Sequence, residues 1–385
     1  MNTAKYVDFD ISQIPSPCFL VDIRLLKRNL ETIRYVREQA GCKILLALKG
    51  FAMHSTFDVV KQYVDGATAS SLHEAQLCYE KMGSKAHMCV PVYTNQDFNQ
   101  ILDISTHVTF NTLSQWERFK DKVKNHSGNH SCAIRINPEY SEVEVDLYNP
   151  AGPRSRLGTT LDKLGDKLPE GIDGLHFHVL CEQDSYVLER TLKVVEEKFG
   201  HLLHQAKWLN MGGGHHITRK DYDVEHLIAL VKRIKDTYNL EVILEPGEAF
   251  GWETGYLLAT VEDIIEHKEV TTAMLDVSFT AHMPDCLEMP YMPKVWGGNF
   301  VNPQGKRYQL GGGTCLAGDQ LGDYEFEEPL KVGDRILFND MAHYTMVKTN
   351  TFNGVQHPAI GIIHEDRSFT LVREFGYEDY RDRLS

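Results

Sequence analysis

Eight short apolar or alternating stretches recur through the first two thirds of the chain, and segments of helical periodicity separate them. They are KILLALK (43–49), GATASS (66–71), AHMCVPV (86–92), HVTFN (107–111), SCAIRIN (131–137), GLHFHVL (174–180), WLNMGGG (208–214) and EVILEPG (241–247). The intervals hold amphipathic runs such as SLHEAQLCYEKMG and VEHLIALVKRIKDTY, whose apolar residues fall at helical spacing. Eight strand–helix alternations in this length predict an α/β fold, a (β/α)8 TIM barrel rather than an open sheet. Past about residue 270 the periodicity changes to TAMLDVSF, KRYQLGGG, KVGDRILFND, HYTMV and SFTLVRE, short strand-like runs between Gly, Pro, Asn and Asp. These predict a second, all-β domain, and SPCFLVDIRLL near the N-terminus reads as a strand able to join it. The expected division is a barrel over 33–270 and a β-rich domain from 1–32 plus 271–385.

A chain of 385 residues with 42% hydrophobic composition can bury two cores of this kind. Its formal charge of -14 repels phosphate backbones and anionic lipid, and favours a cationic ligand. Nucleic acid and membrane are therefore not expected partners. No long apolar run follows a basic N-terminal region or approaches the length of a membrane span, so the expected location is cytoplasmic. The eight cysteines show no Cys-x-x-Cys spacing; most are expected to be reduced and buried, with one or two engaged in chemistry.

In such a barrel the C-terminal strand ends form the active-site mouth. Lys49 ends the first stretch, His178 stands near the end of the sixth, Gly212, Gly213 and Gly214 end the seventh, and Glu245-Pro246-Gly247-Glu248 ends the eighth. Each has a plainer reading. A strand-end lysine can simply reach to water, His176 and His178 share a face and could be core or metal-binding residues, and a carboxylate at a strand end can cap a turn. The glycine triplet can be a tight turn or a nest of three amides for an anion, backed by the positive end of a following helix. Together they suggest pyridoxal 5′-phosphate, which needs a lysine for a Schiff base, a phosphate cradle and a carboxylate for its ring nitrogen.

The ordered motifs ALKG, GLHFHVLCE, MGGGHH, EPGE, GGTCLAGD and AHYTMVKTNTFNG resemble those of the carboxynorspermidine decarboxylases. That group lies within the fold-type III, alanine racemase-like, pyridoxal-phosphate decarboxylases, alongside the diaminopimelate, ornithine and arginine decarboxylases. The resemblance runs along nearly the whole chain. It implies that Lys49 carries the cofactor, His178 stacks on its ring, Gly212, Gly213 and Gly214 hold its phosphate, Glu245 pairs with the ring nitrogen and Tyr344 adds a hydroxyl to the phosphate. It also implies a homodimer in which Cys315 reaches the partner's active site and protonates the substrate carbon. The implied reaction removes the carboxylate of carboxynorspermidine, and of carboxyspermidine by shape, giving norspermidine and spermidine.

Two departures from the related decarboxylases bear on the substrate. Diaminopimelate decarboxylases usually have arginine after Glu-Pro-Gly, where this chain has Glu248, and an acid commonly follows the catalytic cysteine where this chain has Leu316. Holding a substrate ammonium then falls to Glu248, with Asp285 and Asp319 as further candidates. No metal is expected. The competing readings are a decarboxylase of another basic amino acid or of diaminopimelate, a non-catalytic pyridoxal-phosphate protein, alanine racemase, and a metal-dependent barrel hydrolase using His176 and His178 with His215, His216 or His282. A non-catalytic protein would leave the β-rich domain without purpose, the racemase typically has arginine near the ring nitrogen, and amidohydrolase-like barrels place His-x-His on the first strand.

Overall fold

The computed structural model describes residues 7–300, 307–326 and 328–385. Lys306 of the KRYQLGGG stretch and the first six residues lie outside these. The chain divides into two compact units, Asn29–Phe250 and Met1–Arg28 with Gly251–Ser385.

The unit Asn29–Phe250 contains the parallel barrel. Its strands are Lys43–Ile44 with Leu46–Ala47, then Ala67–Ala69, Ala86–Cys89, Ser105–Phe110, Ser131–Arg135, Ile172–His176, Trp208–Asn210 and Glu241–Leu244. The first is written in two pieces but works as one. The amides of Leu45 and Ala47 donate to Leu244 and Pro246 on one side, and those of Leu46 and Leu48 donate to Gly66 and Thr68 on the other. That strand closes the ring between the last and second strands. The intervening helices follow their sequence signals. Val224–Tyr238 starts on Asp223, whose carboxylate accepts from the His226 amide at 2.9 Å, buries Leu227, Ile228, Leu230, Val231 and Ile234, and stops at Asn239 in the left-handed region with φ 51°.

Side chains two residues apart on a strand share a face. An apolar cluster of Leu45, Ala133, Trp208 and Ile243 fills one level of the barrel. Two residues on along the same strands stand Ala47, Arg135, Asn210 and Glu245. The barrel thus changes from apolar to polar within one step toward its C-terminal rim. Gly174 makes the lower level possible, because a Cβ there would lie 2.2 Å from the Trp208 indole.

The second unit is built on a sheet ordered Gly298–Phe300, Gln320–Phe326, Arg307–Gly311, Thr271–Leu275, Gly255–Glu266, Cys18–Asp22, Ala359–Ile363 and Phe369–Arg373, with Arg335–Asn339 also paired to Gly255–Glu266. Most pairs are antiparallel; Cys18–Asp22 with Ala359–Ile363 and Thr271–Leu275 with Arg307–Gly311 are parallel. Phe19, Leu257, Ala259, Leu310, Tyr324 and Phe338 belong to its main core. The N-terminal strand joins this sheet as expected, but its last residues IRLL open the helix Ile23–Ala40. The unit boundary falls after Phe250 rather than after residue 270. The reason is Gly255–Glu266, a strand of 12 residues absent from the sequence reading, which pairs with three strands of this sheet. HYTMV is a helical turn, Tyr344–Val347, and not a strand. No helix among the described residues is long and apolar enough to cross a membrane.

Candidate active site

Lys49 sits in the turn that follows Leu46–Ala47, held by the Gly50 amide donating to the Ala47 carbonyl at 2.9 Å. Gly50 follows it because that turn packs against the turn of Glu245-Pro246-Gly247-Glu248. A Cβ on Gly50 would come within 2.8 Å of Gly247 and of the Glu248 nitrogen. The Lys49 amine lies 3.2 Å from Nε2 of His178. Burial, then the charge of Arg135, holds it below the usual lysine range, although Cys89, Glu245 and Cys181 pull the other way. Depressing an amine's pKa increases its neutral, nucleophilic fraction near pH 7.

His178 stands two residues past the end of Ile172–His176. Its Nδ1 is 3.0 Å from the Gly213 amide, which donates to it, so the ring is fixed between the glycine loop and the lysine. Burial, followed by Lys49 and Arg135, pushes its pKa well below the ordinary histidine value. Arg135 itself donates to the His178 carbonyl at 3.1 Å.

The three glycines are each required. Gly212 and Gly214 have φ of +67° and +85°, and a Cβ on Gly212, Gly213 or Gly214 would lie 2.5, 2.4 or 2.2 Å from the carbonyl oxygen of Phe177, Glu245 or Leu180. Two details differ from the expected anion nest. The Gly212 amide donates to Oδ1 of Asn210 at 2.8 Å and the Gly213 amide to His178, so two of the three amides have protein acceptors. The next long helix begins only at Val224, so its N-terminus does not back the glycines.

Glu245 is 6% exposed. Its Oε1 accepts from Nδ2 of Asn210 at 2.7 Å, and its Oε2 is 3.4 Å from Nε2 of His176. Burial alone would raise the carboxyl pKa, but the hydrogen bond and charge of His176 and the hydrogen bond from Asn210 outweigh it and hold it at about 2. Glu248 opens the short helix Glu248–Gly251 with its carboxylate 3.9 Å from Nε2 of His216.

The structure therefore brings Lys49, His178, Gly213 and Glu245 into one connected set within the barrel unit. Sequence reading missed Asn210, Arg135, His176 in its role beside Glu245, and Cys89, whose sulfur is 3.8 Å from both His176 ring nitrogens. Asn210 had a local signal, a polar residue at a buried strand end, separated from the glycines only by Met211. Among the described residues, no three His, Cys, Asp or Glu side chains form a metal-binding group.

The remaining candidates belong to the sheet unit. Cys315 is exposed, on a loop whose amide at that residue donates to Oδ1 of Asn353 at 2.8 Å. Asn353 adopts the left-handed conformation with φ 58°. Asp319, 4% exposed, accepts from the amides of Phe279, Thr280 and Thr314 at 2.7, 3.0 and 3.0 Å and from the Thr314 hydroxyl at 2.6 Å. Its carboxylate organises the Cys315 loop, an arrangement that competes with the expected contact to substrate. Asp285 shares Lys348 with Glu288, so a salt bridge already meets its charge. Tyr344 is half-buried at the start of Tyr344–Val347.

These barrel residues fit pyridoxal phosphate: a depressed amine, a carboxylate kept ionised, and a glycine strip where any side chain would collide. The comparisons agree. The model of the family described as "Pyridoxal-dependent decarboxylase, C-terminal sheet domain" matches residues 18–342. The chain is 50% identical to carboxyaminopropylagmatine decarboxylase of Synechocystis sp., over 97% of this chain and 96% of that one. It is 42% identical to carboxynorspermidine/carboxyspermidine decarboxylase of Campylobacter jejuni, over 96% and 98%. The crystal structure of the Campylobacter jejuni carboxynorspermidine decarboxylase complexed with norspermidine superposes with a TM-score of 0.90 at 41% identity, over 96% of this chain and all of the other. This chain belongs to the pyridoxal-dependent decarboxylases.

Proposed function

We propose that the chain binds pyridoxal 5′-phosphate through Lys49 and removes the carboxylate of a carboxylated polyamine. Carboxynorspermidine and carboxyspermidine are the substrates of this reading, with norspermidine and spermidine as products. The observation that carries it is the half-buried Lys49 amine, 3.2 Å from His178 with its pKa depressed and within electrostatic reach of the ionised Glu245. When bound, the cofactor supplies an electron sink for the pair left behind by the departing carboxylate.

The chain's own groups do the rest. Lys49, with its amine biased toward the neutral form, would hold the cofactor's aldehyde carbon. Glu245, fixed by Asn210 and His176, would pair with the ring nitrogen and hold its proton there. Gly212, Gly213 and Gly214 admit the phosphate where side chains cannot stand, and Tyr344 adds its hydroxyl. His178 covers the ring. Cys315 returns a proton to the substrate carbon, in the site of the partner subunit of a homodimer, since its loop holds the thiol at the surface. Glu248 receives a substrate ammonium.

The Synechocystis relative favours a second reading, carboxyaminopropylagmatine, which carries a guanidinium at the far end. The end being decarboxylated is the same type of amino acid in both readings, so the tail decides between them. Carbon dioxide release from carboxynorspermidine, carboxyspermidine, carboxyaminopropylagmatine and diaminopimelate tests this. The first reading expects the highest kcat/KM on one of the first two. Preference for the guanidinium substrate selects the second, and turnover of diaminopimelate alone contradicts both.

A further inference from the structure

Barrel interiors are ordinarily filled by branched apolar side chains. Here the level at the rim holds Cys89, at the end of Ala86–Cys89, against His176, at the end of Ile172–His176, and His176 against Glu245. The Cys89 sulfur lies 3.8 Å from both ring nitrogens of His176, and Nε2 of that ring is 3.4 Å from Oε2 of Glu245. His176 is 1% exposed. A buried ring between a sulfur and a carboxylate needs a reason, because a charged group there is costly unless paired.

We propose that Cys89 and His176 are positioning residues for Glu245, a sulfur–imidazole pair that draws on the carboxylate's charge and so sets how firmly the cofactor's ring nitrogen holds its proton. The inference rests on the reading in which Glu245 meets that nitrogen.

The electrostatics of the cluster agree with the geometry. Burial would raise the Cys89 pKa, but the charge and hydrogen bond of His176, with Arg135 behind them, bring it below the usual thiol value. Burial would lower that of His176, yet Cys89 and Glu245 raise it to about 9. The Glu245 carboxylate and a Cys89 thiol biased toward its thiolate then face two cations, His176 and Arg135. The other titratable groups acting on the cluster are Lys49, His87 on the Cys89 strand, His178 and Tyr93. Burial, then His107, drops His87 to about 3, burial and Lys49 push His178 far down, and burial and Cys89 push Tyr93 up. Those three are therefore neutral near pH 7, and the charge opposite Cys89 comes from His176 and Arg135.

The positive member of the pair touches Glu245 and the negative member stands behind it. Removing His176 takes away the competing cation, and removing Cys89 lets burial strip the proton from His176, so either change leaves the Glu245 charge to the ring nitrogen, which then keeps its proton to higher pH. With its pKa raised to about 9, His176 keeps its proton through neutral pH and loses it as the pH climbs through about 9. The influence of the pair therefore fades on the alkaline side.

The test uses the full-length holoenzyme, with Cys89→Ser, Cys89→Ala and His176→Gln. Site-resolved alkylation of Cys89 by iodoacetamide across pH reads the thiolate. Nitrogen NMR of isotope-labelled pyridoxal phosphate reads the ring nitrogen. The expected results are alkylation at Cys89 with a midpoint below the ordinary thiol value of about 8.5, an upward shift of that midpoint by roughly one unit or more in His176→Gln, and an upward shift of the ring-nitrogen midpoint in both Cys89→Ser and His176→Gln. Cys89→Ser keeps the shape of the side chain, so a shift in that variant cannot come from a cavity. A Cys89 midpoint unmoved by His176→Gln, or a ring-nitrogen midpoint unmoved by Cys89→Ser, overturns the proposal. Failure of the protein to bind the labelled cofactor overturns instead the reading on which it rests.

Discussion

The candidate residues of the barrel and those of the sheet unit are held in opposite ways. In the barrel, the functional side chains hold each other: Lys49 meets His178, His178 meets Gly213, and Asn210 joins Gly212 to Glu245. In the sheet unit a supporting residue is buried and the functional one is not. Asp319 accepts two hydrogen bonds from Thr314 in the loop and two from the amides of Phe279 and Thr280, while Cys315 stands exposed on that loop. A group that must keep a set charge state gains from enclosure, because its pKa is then fixed by neighbours. A group that must reach a site built by another chain needs a rigid stem and a free tip. The barrel residues therefore suit cofactor binding, and the exposed Cys315 loop suits the proposed role of reaching the site of a partner subunit.

The largest effect that could break this comparison is at Cys315. Cys315→Ala should lower kcat by about 10²- to 10⁴-fold, the usual contribution of a placed acid, with cofactor affinity unchanged. Mixing it with inactive Lys49→Ala should restore part of the activity once subunit exchange is verified. Wild-type kcat in Cys315→Ala would move the proton donor elsewhere, and no recovery after exchange would place both residues in one subunit's site.

A smaller effect is expected at Glu248. A carboxylate that receives a substrate ammonium contributes about 1.5–3 kcal/mol, so Glu248→Gln should raise KM roughly ten- to a hundredfold and leave the cofactor spectrum alone. Unchanged kcat/KM would reduce Glu248 to a partner of His216. The smallest effect belongs to the scaffold. Asp319→Asn keeps the shape but turns a donor against the Thr314 hydroxyl and amide, so it should cost about 0.5–1.5 kcal/mol in urea unfolding. Its kcat should fall with loop order while cofactor binding stays as in the wild type. A substrate KM that rises with no loss of stability would return Asp319 to substrate binding.

Much of the barrel was legible because its signal is repeated: eight apolar runs, each ended by a turn and followed by a helix, leave few other closures. Lys49, His178 and the glycines stood out for the same reason, as polar or backbone-permissive residues at the ends of those runs. Gly255–Glu266 was missed because GYLLATVEDIIE supports a helical period as readily as a strand, and its partners lie at both ends of the chain. HYTMV misled because β-propensity is decided by packing rather than composition. The Cys89, His176, Arg135 and Asn210 level could not be assembled from the sequence: His176 and Asn210 each carry a local signal, but the four residues come from four separate strands and nothing in the sequence places them together.

The central claim is that the barrel's enclosed lysine, Lys49, carries the cofactor. Reducing the purified holoenzyme with borohydride and mapping its peptides by mass spectrometry tests it directly. The account predicts the reduced pyridoxyl phosphate adduct on the peptide containing Lys49, absent from Lys49→Ala. An adduct on another lysine, or none after saturation with pyridoxal phosphate, would contradict it.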